Sequence, residues 1–156
     1  MRLVSTLRIL KAWLLVGTLD IIAAMAHFFI STGKSPGIIF QYIASAVLGP
    51  SAFEGGKNAI LLGLCLHFLV ALIFTCIFFA LVKIFPVVLQ HKFLTALFYG
   101  IGMWAVMRFM VLPLTQISLK TIQAGDAAIS IGILFFCIGL PLSYIAGPPQ
   151  SSSNLS

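Results

Sequence analysis

Apolar residues run through this chain in four long stretches, Leu10 to Ile30, Ala59 to Phe85, Phe93 to Leu112 and Ala127 to Ala146. Each has about the length that a helix rising ~1.5 Å per residue needs to cross a hydrocarbon core of about 30 Å. The second is long enough to tilt, and Phe85-Pro86 ends it because proline cannot extend a helix and restricts the residue before it. Pro113 closes the third stretch. Pro141 lies inside the fourth, where apolar residues continue to Ile145, so a kink is expected there and not a stop. A shorter apolar piece, Gly37 to Gly49, sits between Pro36 and Pro50 and would be about 18 Å long as a helix, too short to span untilted. Gln41, Ser45 and Gly49 recur on one of its faces. That pattern leaves two forms open, an interfacial helix or a re-entrant segment lining a cavity.

Composition removes the soluble alternatives. Hydrophobic residues make up 61% of the 156, charged residues 8%, and the mean hydropathy is +1.16. Three acids and nine basic residues cannot cover the surface of a small water-soluble domain. The expected fold is an all-α integral membrane bundle of four transmembrane helices with one short re-entrant or interfacial helix. It forms a single transmembrane domain over residues 1–146, followed by a Pro/Ser-rich tail, 147–156, expected to be disordered. Arg2, Arg8 and Lys11 precede an apolar run that reaches Ala24-Met25-Ala26, the outline of a cleavable signal peptide. Asp20 interrupts that run, and Phe28, Phe29 and Ile30 continue it, so a retained anchor fits better.

Arg2, Arg8, Lys11, Lys83 and Lys92 fall on one side of the membrane, with Lys34, Lys57, Lys120, Glu54 and Asp126 opposite. The excess of basic residues predicts cytoplasmic termini. The net charge of +6 is spread along loops, which suits anionic lipid and calls for no nucleic acid.

Ionisable groups within spans are costly and usually face a cavity or another helix. Asp20, His27, His67 and Arg108 are such groups. Gly17, Asp20, Ala24, His27 and Ser31 form one small and polar stripe on the first span, and Gly63, His67, Ala71 and Thr75 form another on the second. The two helices are expected to pack along these stripes, because small residues admit close backbone approach. Depth counting brings Asp20 and His67 to the same level near the midplane, with His27 and Arg108 nearer the external face. Two readings follow. One is a polar pathway opening outward, with Asp20 and His67 as a proton relay at its inner end. In the other, His67 makes an interhelical hydrogen bond for packing alone, while His27 and Arg108 snorkel to the interface.

Other motifs fail on spacing. Gly33-Lys34-Ser35 resembles the end of a phosphate-binding loop, but Phe28 stands where the leading glycine belongs. Cys65 and His67 project to different sides of a helix, so no metal site follows, and Cys65, Cys76 and Cys137 are expected to be reduced packing residues. No nucleophile and base pair is readable, no cofactor is called for, and a lipid-active enzyme is disfavoured. Asn154-Leu155-Ser156 is a sequon on the expected cytoplasmic side. The loop Ala52-Phe53-Glu54-Gly55-Gly56-Lys57 is the most unusual connection: its paired glycines permit special backbone conformations or serve as a plain turn.

The segment from Ser35-Pro36 through Gln41, Ala44-Ser45, Leu48-Gly49 and Ala52-Phe53-Glu54-Gly55-Gly56 to Gly63 and Leu66-His67-Phe68 resembles a group of small bacterial four-span inner-membrane proteins with no assigned reaction. More distantly, His67 to Leu114, with Phe85-Pro86 and Leu112-Pro113-Leu114, is similar to the YagU-like family. The resemblance implies a bacterial cytoplasmic membrane and, for the YagU-like case, a link to acid tolerance. This chain is shorter than the YagU-like pattern and lacks its extended loop after the first span. Two functions are therefore expected from the sequence: a structural or accessory membrane protein, or a small proton-linked carrier or channel. Expected partners are membrane lipids and a second copy or another membrane protein, since four helices this apolar enclose little.

Overall fold

The computed structural model describes residues 6–116 and 124–147. The expectations for Arg2, Lys120 and the tail beyond Gly147, with its sequon, lie outside the described residues. Helix α1, Thr6–Thr32, is followed by the short α2, Gly37–Leu48, and a 3-10 turn, Gly49–Phe53. Helix α3, Gly56–Ile84, leads through a second 3-10 segment, Pro86–His91, into α4, Lys92–Val106. A π turn, Met107–Val111, and a 3-10 turn, Leu112–Leu114, prolong α4. The last span consists of α5, Ala124–Leu134, a π turn, Phe135–Gly139, and α6, Leu140–Ile145.

Among the described residues the structure is an all-α bundle with 4 helices long and apolar enough to cross a membrane and one shorter apolar helix. The spans extend beyond the apolar runs at several ends, as in α1, which begins at Thr6 and reaches Thr32. Helical backbone satisfies its own hydrogen bonds whether its side chains are apolar or basic, so it need not stop where the apolar run does.

Both internal prolines follow a local widening of the helix. The Leu112 N–H reaches the Met107 carbonyl and the Leu140 N–H reaches that of Phe135, each one residue further than in an α-helix. The extra residue relieves the clash between a proline ring and the preceding turn, so Pro113 and Pro141 are accommodated. The helix therefore passes Pro141 to Ile145, as the sequence indicates, and runs one residue past Pro113 before stopping at Leu114. Phe85, at φ −123° and ψ 73°, leaves the helical region ahead of Pro86 and ends α3.

The main core lies toward the α1-start end of the bundle. Ala12 and Val16 of α1 meet Phe74, Phe78 and Phe79 of α3, Met103 of α4, and Ile138 and Leu142 of the last span. Helix α4 approaches the last span closely: a Cβ on Gly139 would lie 2.5 Å from the Ala96 carbonyl oxygen, and one on Gly100 would lie 3.1 Å from the Phe135 nitrogen. Lipid tails are as apolar as the helices, so such close van der Waals packing supplies much of their association.

Arg8, Lys11, Lys83 and Lys92 lie at one end of the bundle. The Lys92 ammonium sits 4.8 Å from the centroid of the Tyr144 ring, and Arg8, Lys11 and Ile145 line one cleft. At the other end, Gln116 donates its backbone N–H to Ala46 and its side-chain Nε2 to Val47, at 3.2 and 2.7 Å.

Helix α2 leans on the first half of α3, where Ala44, Ala52 and Ala59 form a second small core. Its polar face turns toward protein: Ser45 and Gly49 are buried, while Tyr42, Val47 and Leu48 are exposed. Two expectations are corrected. Gly63 does not join the α1 contact, because its bare backbone lies against the Phe40 carbonyl of α2. Cys65 and Cys76 are free and exposed, so they do not pack in the core, whereas Cys137 is partly buried against it.

Candidate functional site

The polar groups of α1 and α3 meet around Gly17. The absence of a side chain there leaves room for Phe68, whose ring would lie only 2.9 Å from a Cβ, and for Ala71 at 3.4 Å. This close approach lets His67 Nε2 reach the Gly17 carbonyl oxygen at 2.9 Å. A carbonyl only accepts, so Nε2 carries the proton and donates it. One helical turn earlier, Trp13 Nε1 donates to the Phe68 carbonyl at 2.7 Å. The Phe68 ring meets both neighbours edge-on, with centroids 6.0 Å from Trp13 and 5.3 Å from His67. The seam therefore contains two side-chain to backbone bonds between helices, enclosed by aromatic rings. In hydrocarbon such bonds have no water competitor, and interhelical bonds of this kind contribute about 0.6 kcal/mol on average.

Asp20 follows Gly17 by three residues, which places it on the same side of α1. It is half-buried and interacts electrostatically with His67 and with Cys137 of the last span. Its carboxyl makes no hydrogen bond to the described residues, yet no buried side-chain nitrogen or oxygen among them lacks a partner. The carboxyl oxygens therefore reach the edge of the packed helices.

The remaining sequence candidates stand apart from this pair. His27 shares a 3.3 Å contact with Ser31 Oγ on its own helix. Arg108 is half-buried in the π turn after α4, where it has an interaction partner. Thr75, the last member of the α3 stripe, is buried and returns its hydroxyl to the Ala71 carbonyl at 2.8 Å.

On α2, Ser45 Oγ donates to the Tyr42 carbonyl at 2.6 Å, and Gln41 Nε2 lies 3.5 Å from that of Phe53. Glu54 and Gly55 are exposed in the turn, and Gly56 adopts φ +52°, a conformation the paired glycines permit. These residues shape a compact connection into α3.

Among the described residues an apolar cleft lies between α3 and α4, and a smaller one is lined by Arg8, Lys11 and Ile145. Neither is lined by Asp20, His27, His67 or Arg108. No group of three or more His, Cys, Asp or Glu residues among those described could hold a metal ion.

The stripe pattern points to the His67 contact but not to Trp13 or Gln116. Aromatic side chains are common in membrane spans, and a carbonyl partner 55 residues away leaves no periodic mark. No family model, curated protein or solved structure matches the chain.

Proposed function

We propose that this chain is a structural or accessory protein of the bacterial inner membrane, without catalytic activity, whose intramembrane polar groups fasten its helices. The observation that carries this reading is the bond from His67 Nε2 to the Gly17 carbonyl, joined on the same seam by the Trp13 bond to Phe68. Both donors are used on backbone acceptors, which suits fastening better than proton exchange. Asp20 at the edge of the helices suits a further partner, a second copy or another membrane protein, because an intramembrane carboxyl is costly in lipid. Helix α2 fits a place in the membrane beside α3, since its outward residues include Tyr42, Val47 and Leu48. The end bearing Arg8, Lys11, Lys83 and Lys92 is assigned to the cytoplasm by its basic excess.

The electrostatic interaction between Asp20 and His67 supports a second reading, a small proton-linked carrier or channel. That role is also the one compatible with the acid tolerance implied by the YagU-like resemblance. Proton flux into dye-loaded proteoliposomes under an imposed pH gradient separates the two. Fastening alone predicts equal traces for wild type, His67→Ala, Asp20→Asn and empty liposomes. Flux above empty liposomes that disappears in folded variants would replace the structural reading with the relay.

Orientation is tested separately by maleimide labelling of cells, with Cys65, Cys76 and Cys137 first changed to alanine. Ser51→Cys is expected to react from outside, and Gln90→Cys only after permeabilisation. The reverse pattern would invert the assignment.

A further inference from the structure

The smaller cleft, where the start of α1 meets Ile145 of α6, has a volume of about 410 Å³. It falls within the size range of small-molecule sites, roughly 300–1,000 Å³. Arg8 and Lys11 line it together with the apolar Leu7, Leu15 and Ile145. Both basic side chains are exposed, and neither makes a hydrogen bond or ion pair among the described residues. Lys92, at the same end, is already held on the Tyr144 ring. Of the chain's three acids, Glu54 and Asp126 lie in segments at the opposite end, and Asp20 lies on the α3 side of α1. None of them neutralises the cleft, so an occupant must bring its own negative charge.

The helix below the cleft favours a lipid over a soluble anion. At about 3.6 residues per turn, Lys11, Leu15, Leu19 and Ile22 share one face of α1 with Arg8. Leu15, Leu19 and Ile22 are all exposed there. From Lys11 to Ile22 this face descends about 16 Å at ~1.5 Å per residue. That is close to half of the ~30 Å hydrocarbon core, the depth of one leaflet. We propose that the cleft binds the phosphate of an anionic phospholipid, with Arg8 and Lys11 as its ligands and one acyl chain along Leu15, Leu19 and Ile22. The planar guanidinium can grip two phosphate oxygens in parallel, and the ammonium adds a point charge. A zwitterionic headgroup would bring a third cation against these two, so a net negative headgroup is preferred. The site rests on the placement of α1 in a membrane and is independent of either reading of Asp20 and His67.

The experiment uses phosphatidylglycerol with a diazirine in the middle of one acyl chain, cross-linked to the full chain in phosphatidylcholine vesicles and mapped by mass spectrometry. Arg8→Gln and Lys11→Gln each remove one ligand. Lys34→Gln is the control: it makes the same change in net charge at an exposed position of the opposite end. Dissolved glycerol 3-phosphate, which carries the phosphate without the chains, separates a lipid from a soluble anion.

Adducts are expected around Leu15, Leu19 and Ile22. Unlabelled phosphatidylglycerol should compete better than added phosphatidylcholine, and glycerol 3-phosphate should not compete. Arg8→Gln and Lys11→Gln should each weaken the preference for phosphatidylglycerol about fivefold, the usual effect of one basic residue at an anionic membrane surface, while Lys34→Gln leaves it unchanged. Adducts spread evenly over all four spans, or equal competition by the two lipids, would overturn the proposal. So would a loss of preference in Lys34→Gln as large as in Arg8→Gln, which would mean attraction by net charge without a site. Displacement by glycerol 3-phosphate would replace the lipid with a soluble phosphate. Should either glutamine variant fail to fold, the wild-type map and the competition still decide.

Discussion

The carbonyl group of Phe40 occupies the space that a side chain on Gly63 would need. The contact is backbone against backbone, between the short helix and the second span, so neither partner can swing aside as a side chain could. Gly63→Ala is therefore expected to force the two helices apart and to destabilise the protein by about 1–3 kcal/mol, the usual cost of overpacking. Gly102→Ala serves as the control. Its Cβ meets open space, and removing a helical glycine there is expected to gain about 0.5–1 kcal/mol. Thermal unfolding in one detergent compares them, and equal transitions for the two variants would remove the close-packing argument.

Gly49 has two constraints. Its backbone, at φ +62° and ψ −149°, belongs to a region that side-chain-bearing residues avoid. A Cβ there would also come within 2.5 Å of Gln116 Oε1. Gly49→Ala is expected to cost about 1–3 kcal/mol through backbone strain. Gln116→Ala removes the bond to Val47 without strain and should cost about 1 kcal/mol. Adding Gln116→Ala to Gly49→Ala should relieve the steric share alone, so a double variant restored to wild-type stability would show that backbone strain plays no part.

His67→Leu and Trp13→Phe each remove one donor from the seam while preserving apolar bulk. Each is expected to cost about 0.6–1.7 kcal/mol. Both donors border the Phe68 ring, so the double variant should depart from additivity by about 0.5 kcal/mol or more. Unfolding in denaturant measures the cycle. Neutral single variants would mean that the seam is held by packing and not by these bonds.

Val47 tests where the short helix lies. It is exposed on the side of α2 away from the protein, so a helix immersed beside α3 presents it to lipid. Val47→Cys, with the native cysteines removed, is expected to resist a membrane-impermeant maleimide that readily labels Ser51→Cys. Equal labelling of the two positions would place α2 in the interface.

Much of this architecture is legible in the apolar runs. Four stretches of spanning length become four spans, Phe85-Pro86 ends one, and Pro141 is passed with a local widening of the helix. The stripe of His67 and Ala71 also finds α1, because small and polar residues at helical spacing must face protein in a solvent of hydrocarbon. The same stripe misplaces Gly63. A spacing rule identifies which residues share a face, but a helix face has more than one neighbour along its length, and α2 covers the part that α1 leaves free. The exposed Cys65 and Cys76 show the converse, since an apolar environment for a thiol can be lipid as well as core.

The sequence by itself determined the class of solvent, the number of spans and the short fifth helix, because crossing hydrocarbon demands length and apolarity that local composition alone reveals. Tertiary structure decided which carbonyl each donor found: Gly17 for His67, Phe68 for Trp13, Val47 for Gln116. It also placed the polar face of α2 against protein and opened the cleft between α3 and α4. The physical reason is that backbone acceptors are alike at every residue, so only the packing of distant helices selects among them.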